Sequence, residues 1–458
     1  MSDSVVAQIL DVLDSAKVFE GDDIPERYFH DEALGVPPQR PLCVVVVRSV
    51  HEVSAVLRVA LEANVAVVPR GSGTGLAGGA TPLAGAIVLS TELMNSIVEI
   101  DQENFTATVE AGVTLAQLDE ALKALGFVYP VFPGELGSTL GGNVATNAGG
   151  MRAVKYGVTR HQVLGTEFVL MNGTIVKSGG KYVKSTSGYD LTQLIIGSEG
   201  TLGVVTQAIL RIYPRPKHTV SLLAAFVSPD EPTSCVPELV NSENLPLVLE
   251  FMDAAGLYAM ANRVKVDLGM SGSVMEAAQS YLLVMLEGSK WDELSLQREE
   301  IAQTLTSRGA IECYFLTQKQ GEDLLLARES AFWVSKEAGA NDILDTVVPR
   351  SELAGFLKVA KELAMRTNSY ISGAGHIGDG NIHFSIFQPD PSLLDEVEEE
   401  IFRYALSIGG AVSAEHGIGI AKRQHLYDTE DSDKLELMSR IKLAFDPKWL
   451  LNPGKILR

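Results

Sequence analysis

The segment Gly375-His376-Ile377-Gly378-Asp379-Gly380-Asn381-Ile382-His383 constrains the folding of this chain more than any other. Asp-Gly is a strong signal for a tight two-residue turn, because the central positions of such a turn need positive φ. With Asp379-Gly380 as that turn, the expected cross-strand pairs are 378 with 381, 377 with 382 and 376 with 383. His376 and His383 then stand opposite each other on one face of a hairpin, with Cβ atoms roughly 5 Å apart. Two imidazoles at that separation can share one metal ion.

The rest of the chain is globular in character. At 458 residues it is too long for a single core, so two or more domains are expected. A hydrophobic content of 46% with 21% charged residues excludes a disordered chain. The formal charge of −21 argues against nucleic acid as a partner and against charge-driven docking on an anionic membrane. A small anionic substrate stays open, since a local arginine or metal overrides the global field. Cys43, Cys235 and Cys313 show no CxxC spacing, so neither a disulfide framework nor a cysteine-ligated metal is expected, and the cytoplasm is the expected setting. No apolar run approaches the ~20 residues of a membrane span, and no signal-peptide pattern opens the chain.

Residues 42–47 read as a buried strand. Ser49 with Glu52 then starts a helix to about Ala63, and Val65 to Val68 form a second strand, stopped by Pro69. Strands are expected at Ile87–Leu89 and Thr106–Glu110, a helix at Leu115–Leu125, and a hairpin around Asn172-Gly173. Pro214-Arg215-Pro216 favours an extended connector and marks a domain boundary. Helices 254–264 and 394–407 and a strand at 281–286 follow it.

Three glycine-rich stretches precede that boundary: 69–79, 133–150 and 197–206. Closely spaced glycines let backbone N–H groups converge on an anion such as a pyrophosphate. The first stretch is neither a Walker A loop nor a Rossmann fingerprint, because it lacks the Lys-Ser/Thr of the one and the following acid of the other. The second mixes glycine with Ser138, Thr139, Asn143, Thr146 and Asn147, which suits an extended polar cofactor.

Together these stretches strongly resemble the FAD-binding domain of the vanillyl-alcohol oxidase/PCMH superfamily. More narrowly, the chain from about Pro41 to Asn452-Pro453-Gly454-Lys455 resembles the FAD-dependent D-2-hydroxyacid dehydrogenases, the D-lactate, glycolate and D-2-hydroxyglutarate group. The resemblance implies an α+β fold: a PCMH-type FAD-binding domain (1–215), an α+β substrate-binding cap (216–420) and a C-terminal segment (421–458) that returns to the FAD. It implies that Arg70, Gly71, Ser72, Gly73, Thr74, Gly75 and Leu76 wrap the FAD pyrophosphate. Pro133, Ser138, Gly142, Thr146, Asn147 and Gly150 would line the cofactor, Glu199, Gly200, Gly203 and Val204 would reach it from another side, and Asn452 would return to the flavin. Loops one and two contain no histidine, so the FAD is expected to be non-covalent.

An acidic third ligand for the two histidines is available in Ser413-Ala414-Glu415-His416-Gly417-Ile418-Gly419. In a strand Glu415 and His416 would point to opposite faces, so both reach one site only if the backbone bends, which Gly417 and Gly419 favour. In the resembling dehydrogenases the positions of His376, His383 and Glu415 bind a divalent ion, commonly zinc, and the following histidine serves the chemistry. His416 is accordingly the candidate base, and Arg328 the candidate clamp for a substrate carboxylate. Ile343 and Phe332 stand where relatives specialised for D-2-hydroxyglutarate place polar groups, so a short acid such as D-lactate or glycolate is expected. Electrons would leave to a quinone, a cytochrome, an electron-transfer flavoprotein or a partner subunit, which could also bring the protein to a membrane surface; a homodimer is compatible with this reading. A D-2-hydroxyglutarate dehydrogenase is the alternative within the group, and a flavin-free metal hydrolase and a non-catalytic FAD-binding subunit are the alternatives from other classes.

Overall fold

Valine runs and glycine stops lay out the N-terminal half. In the computed structural model, which describes residues 2–13, 17–242 and 244–458, Cys43–Val46 is a fully buried strand. It pairs in parallel with Ile87–Ser90, which pairs in turn with Val67–Arg70. Strands buried on both faces read as continuous apolar runs, which is why this one carries four apolar residues in succession. The connecting helix Val50–Ala63 is capped by Ser49, whose hydroxyl accepts from the Glu52 N–H, and it buries Val53, Val56, Leu57 and Ala60. Pro69 does not stop the following strand, contrary to expectation. Val67–Arg70 is the edge of its sheet, where a missing N–H costs no ladder bond.

A second sheet of five antiparallel strands follows, ordered Ile97–Asp101, Thr106–Glu110, Val204–Arg211, Val163–Val169, Ile175–Gly179. The hairpin around Asn172-Gly173 joins the last two of these. The glycine stretch 69–79 links two strands of the first sheet, and 133–150 and 197–203 precede the strands Val163–Val169 and Val204–Arg211 of the second.

From His218 onward a seven-stranded antiparallel sheet forms, ordered Glu312–Leu316, His218–Phe226, Ser280–Gly288, Val248–Asp253, Tyr370–Gly375, Asn381–Phe387, Asp342–Val347. Alternation along its central strands divides the labour. Leu249, Phe251, Leu344, Ile382, Phe384 and Ile386 belong to one core cluster beneath the helices Asp230–Val240, Leu353–Thr367 and Leu394–Ser407. The intervening positions, among them Glu250, Asp345, His383 and Ser385, therefore face the other way, toward the glycine stretches.

The chain then returns. Leu451 bridges to Val67, and Asn452 donates its N–H to the Val67 carbonyl. Lys442 locks this return: its Nζ, buried on the helix Ser432–Phe445, donates to Thr201 O at 2.7 Å, Asp446 Oδ2 at 2.6 Å and Leu451 O at 2.8 Å. Lys442→Met leaves the buried Asp446 carboxylate without its counter-charge. The expected loss of about 3–5 kcal/mol is to be read from urea midpoints at constant m-value. Among the described residues no helix is long and apolar enough to cross a membrane.

Candidate active site

Between the glycine stretches and the seven-stranded sheet lies a cavity of about 510 Å³. One wall contains Arg70, Gly71, Ser72, Gly73, Thr74, Gly75, Leu76, Pro133, Ser138, Gly142, Thr146, Glu199, Gly200, Gly203 and Val204, all marked by the sequence. Asn147, Gly150 and Asn452 are not on it. Asn147 caps the helix Leu140–Thr146 and accepts from the Arg160 N–H, the Gly150 Cα lies against the Phe132 carbonyl, and the Asn452 amide donates to Gly79 O and Glu199 O. These three shape the wall from behind.

The wall has the chemistry of a cradle. Ser138 Oγ, Thr139 Oγ1 and Asn143 Nδ2 are buried and without a protein partner, and their residues all line the cavity. Buried polar atoms are ordinarily paired, so three orphans within six residues, in and just before one short helix, point to a polar guest. A Cβ on Gly71 would collide with Thr139 Oγ1, so loop one approaches loop two only because it has none. The Arg70 guanidinium is turned away and donates to the carbonyls of Arg27 at 2.6 Å and His30 at 2.8 Å. Glu199 accepts from the Ile418 N–H at 2.7 Å and the Gly419 N–H at 2.8 Å, tying this wall to the segment that follows His416. Burial pushes its carboxyl up to about 7, against the effect of those two N–H groups.

The opposite wall holds His376, His383, Glu415, His416 and Arg328. The two-residue hairpin expected at Asp379-Gly380 is not formed. The ladder pairs Ala374 with His383, so His376 lies beyond the last pair and residues 376–380 make a wider connection containing one 3₁₀ turn, Ile377–Asp379. Only Gly380 takes the left-handed conformation (φ +83°), where a Cβ would strike the Val348 carbonyl. The two imidazoles still converge, with ring centroids 5.2 Å apart, and His416 stands 4.9 Å from His383.

Glu415 Oε1 sits between them, 3.1 Å from His376 Nε2 and 3.4 Å from His383 Nε2. Ligand atoms around a tetrahedral zinc are ~3.3 Å apart when each bond is ~2.0–2.1 Å, so each histidine nitrogen stands from the Glu415 oxygen at the spacing of two ligands on one ion. Asp345, His383, Glu415 and His416 form an overlapping set with one ligand atom each within 4.8 Å. The Asp345 oxygens are already occupied, however. Oδ2 accepts from Ser413 Oγ and from the N–H groups of Ala414, Glu415 and His416, at 2.7–3.0 Å, and Oδ1 accepts from Asn381 Nδ2 at 2.8 Å. His376 is the better third donor.

Asp345 also supplies the bend that Glu415 and His416 require. Three successive N–H groups curl around one oxygen, and with Gly417 left-handed (φ +84°) both side chains reach the cavity. Glu250 does comparable work from the central strand. With no exposed surface, it accepts from Arg328 Nε at 2.9 Å and lies 2.5 Å from His376 Nδ1, leaving Arg328 Nη2 without a partner beside the cavity. Burial alone would raise the Glu250 and Glu415 carboxyls. The charges of His376 and Arg328 hold Glu250 below the usual range, and His376 with His383 hold Glu415 well below it. Burial lowers His376, but Glu250 and Glu415 outweigh it and raise the imidazole to about 10. Neither Asp345 nor Glu250 was singled out from sequence. The available signal was a lone acid inside an apolar strand, Val248-Leu249-Glu250-Phe251-Met252 and Ile343-Leu344-Asp345-Thr346-Val347.

Residues 215–456 match the family of FAD linked oxidases, C-terminal domain, and residues 41–179 match the FAD binding domain family. The chain belongs to the FAD-linked oxidases. This FAD-linked oxidase is 39% identical over 412 residues to a D-lactate dehydrogenase of Archaeoglobus fulgidus, with 89% of each chain covered. It is 38% identical over 425 residues to the glycolate oxidase subunit GlcD of Bacillus subtilis, covering 91% of this chain and 89% of that one. The solved structure of p-cresol methylhydroxylase with substrate bound shares its fold, with a TM-score of 0.81 at 18% identity over 99% of this chain and 96% of that one. The protein is thus an FAD-dependent oxidoreductase of the D-lactate, glycolate and D-2-hydroxyglutarate dehydrogenase group, with a two-domain α+β architecture of the PCMH type.

Proposed function

We propose that this FAD-linked oxidase converts a D-2-hydroxy monocarboxylic acid of the D-lactate and glycolate class to its 2-oxo acid, on non-covalent FAD and with a divalent ion held by His376, His383 and Glu415. The observation that carries this reading is the convergence, in the cavity that faces the glycine loops, of a buried arginine whose Nη2 has no protein partner and of a Glu415 oxygen lying 3.1 Å from His376 Nε2 and 3.4 Å from His383 Nε2. When bound, FAD accepts the hydride and a divalent ion such as zinc makes the substrate hydroxyl more acidic.

The protein's own groups do the rest. Arg328, fixed at Nε by Glu250, presents Nη2 to the substrate carboxylate. His416 takes the hydroxyl proton; its ring shares the cavity with His383, and its backbone is held by Asp345. Glu250 keeps a proton on His376 Nδ1, which leaves Nε2 as the ligand atom. Among the described residues the cavity lining contains Arg70 and Arg328 as its arginines and no lysine; Arg70 is engaged by backbone, and Lys336, whose Nζ lies over the Phe332 and Trp333 rings, is paired with Glu32. A second carboxylate therefore meets no free cation, which supports a monocarboxylic acid over D-2-hydroxyglutarate. Electrons then pass to a quinone or a redox protein.

Anaerobic mixing of the yellow holoprotein with D-lactate or glycolate, but not L-lactate, is expected to bleach the flavin absorbance. Bleaching by no 2-hydroxy acid would defeat the reading. Chelator treatment is expected to slow bleaching at least ~10-fold without loss of FAD, and zinc to restore it. Because Glu250 and Glu415 raise the His376 imidazole to about 10, zinc must displace its proton at neutral pH. Affinity for zinc should therefore rise with pH, by up to about tenfold per unit from this group, as followed by competition with a chromogenic chelator.

A further inference from the structure

Beyond the histidine cluster the cavity continues into a lobe walled by rings. Phe332 and Trp333 stand edge to face with centroids 5.1 Å apart, and Tyr370 and Phe387, paired across adjacent strands, lie 5.6 Å apart. Met260, only 2% exposed, lines the same space. The serine hydroxyls among these walls have protein partners. The Ser335 and Ser385 hydroxyls bond each other at 2.8 Å, and Ser372 donates to Asp253 Oδ2 at 2.6 Å. Phe332 follows Arg328 by four residues, across the break between the helices Gln318–Glu329 and Ala331–Glu337. A molecule whose carboxylate rests on Arg328 thus has aromatic surface next to its anchor.

Apolar walls that reject a second carboxylate do not reject a long apolar chain. Small acids leave such a lobe filled by water that can bond little of its lining, whereas a hydrocarbon group removes that lining from solvent. Resting on the 2-hydroxy acid reading above, we propose that the preferred substrates carry a branched aliphatic or aromatic group at C3, and that lactate and glycolate under-fill the site. The reaction balances as before. The C2–H bond breaks, its electron pair and hydrogen go to the flavin as hydride, the hydroxyl proton goes to His416, and the 2-oxo acid leaves.

The test is anaerobic stopped-flow reduction of the FAD-loaded protein by glycolate, D-lactate, D-2-hydroxy-4-methylpentanoate and D-3-phenyllactate. In parallel, the matching 2-oxo acids are titrated and their binding is read from the shift of the flavin spectrum. Reduction per unit concentration is expected to be at least ~10-fold faster with the two larger acids, and their 2-oxo acids to bind more tightly than pyruvate. Phe387→Ala, which removes a wall of the lobe, is expected to lower the ratio of large-acid to lactate rates several-fold. Lactate as the fastest substrate and pyruvate as the tightest ligand overturn this proposal and leave the 2-hydroxy acid reading standing, as does a rate ratio unmoved by Phe387→Ala. Failure of every acid to reduce or perturb the flavin overturns the reading itself.

Discussion

Asp345→Asn is expected to lower turnover at least ~100-fold and to cost about 3 kcal/mol or more of stability, although it changes one atom. In the folded protein both carboxylate oxygens only accept. Oδ2 serves Ser413 Oγ and three consecutive backbone N–H groups, and Oδ1 serves the Asn381 amide. An asparagine must put its NH₂ on one side or the other, and either choice sets donor against donor in a site that is 3% exposed. Burial raises the Asp345 carboxyl, but the neighbouring His416 and His383 hold it below the usual range, so the charge itself is part of the arrangement. With the carboxylate gone, the segment 413–416 loses what bends it. Glu415 and His416 then return toward the opposite-facing geometry of a strand. Under the proposed metal site, zinc uptake by elemental analysis should fall together with the bleaching rate, while the flavin absorbance is kept. A variant retaining a tenth or more of the turnover would mean that the glycines alone hold the bend.

Glu250→Gln should reduce kcat/KM by ~10²–10³ through two separate losses. Glu250 is fully buried and bonds Arg328 Nε through one oxygen and His376 Nδ1 through the other. A glutamine that offers its carbonyl to Arg328 presents its NH₂ to Nδ1. The imidazole then carries its proton on Nε2, the atom 3.1 Å from Glu415 Oε1 that would hold the ion. The opposite flip preserves His376 and sets the amide donors against the guanidinium. The expected signatures therefore divide. Zinc affinity should drop 10–100-fold, measured by chelator competition, and the apparent KM for the hydroxy acid should rise as Arg328 loses its mooring. Unchanged zinc affinity with a raised KM would show that Glu250 serves the arginine alone. This pair of measurements separates the two roles even where the variant is less stable.

Local features of the sequence carried much of the fold. The start and end of the helix Val50–Ala63, the helices Ala254–Val264 and Leu394–Ser407, and the strand Thr106–Glu110 follow from capping residues and apolar periodicity. Two local readings failed because each took a residue's propensity without its place in a sheet. Pro69 lies within an edge strand and does not end it. Asp379-Gly380 sits at the end of a wider turn whose register is set by Ala374 opposite His383, not by the dipeptide. Histidine proximity survived this change because residue 376, leaving the ladder with ψ 67°, still places its ring 5.2 Å from that of His383.

Residue type and short-range spacing determined the inventory: glycine stretches interleaved with serine, threonine and asparagine, two histidines near one turn, an adjacent Glu-His, and an arginine on a helix. These are properties of a few neighbouring residues, so they can be read without knowing what packs where. What the tertiary structure alone decided is which acids hold them in place. Glu250 lies 126 residues from His376 and 78 from Arg328, and Asp345 grips backbone 69–71 residues away. No periodicity connects positions that far apart. Their partnership arises because a seven-stranded sheet turns alternate residues of separate strands toward one cavity, where a buried carboxylate must find donors or remain unpaired.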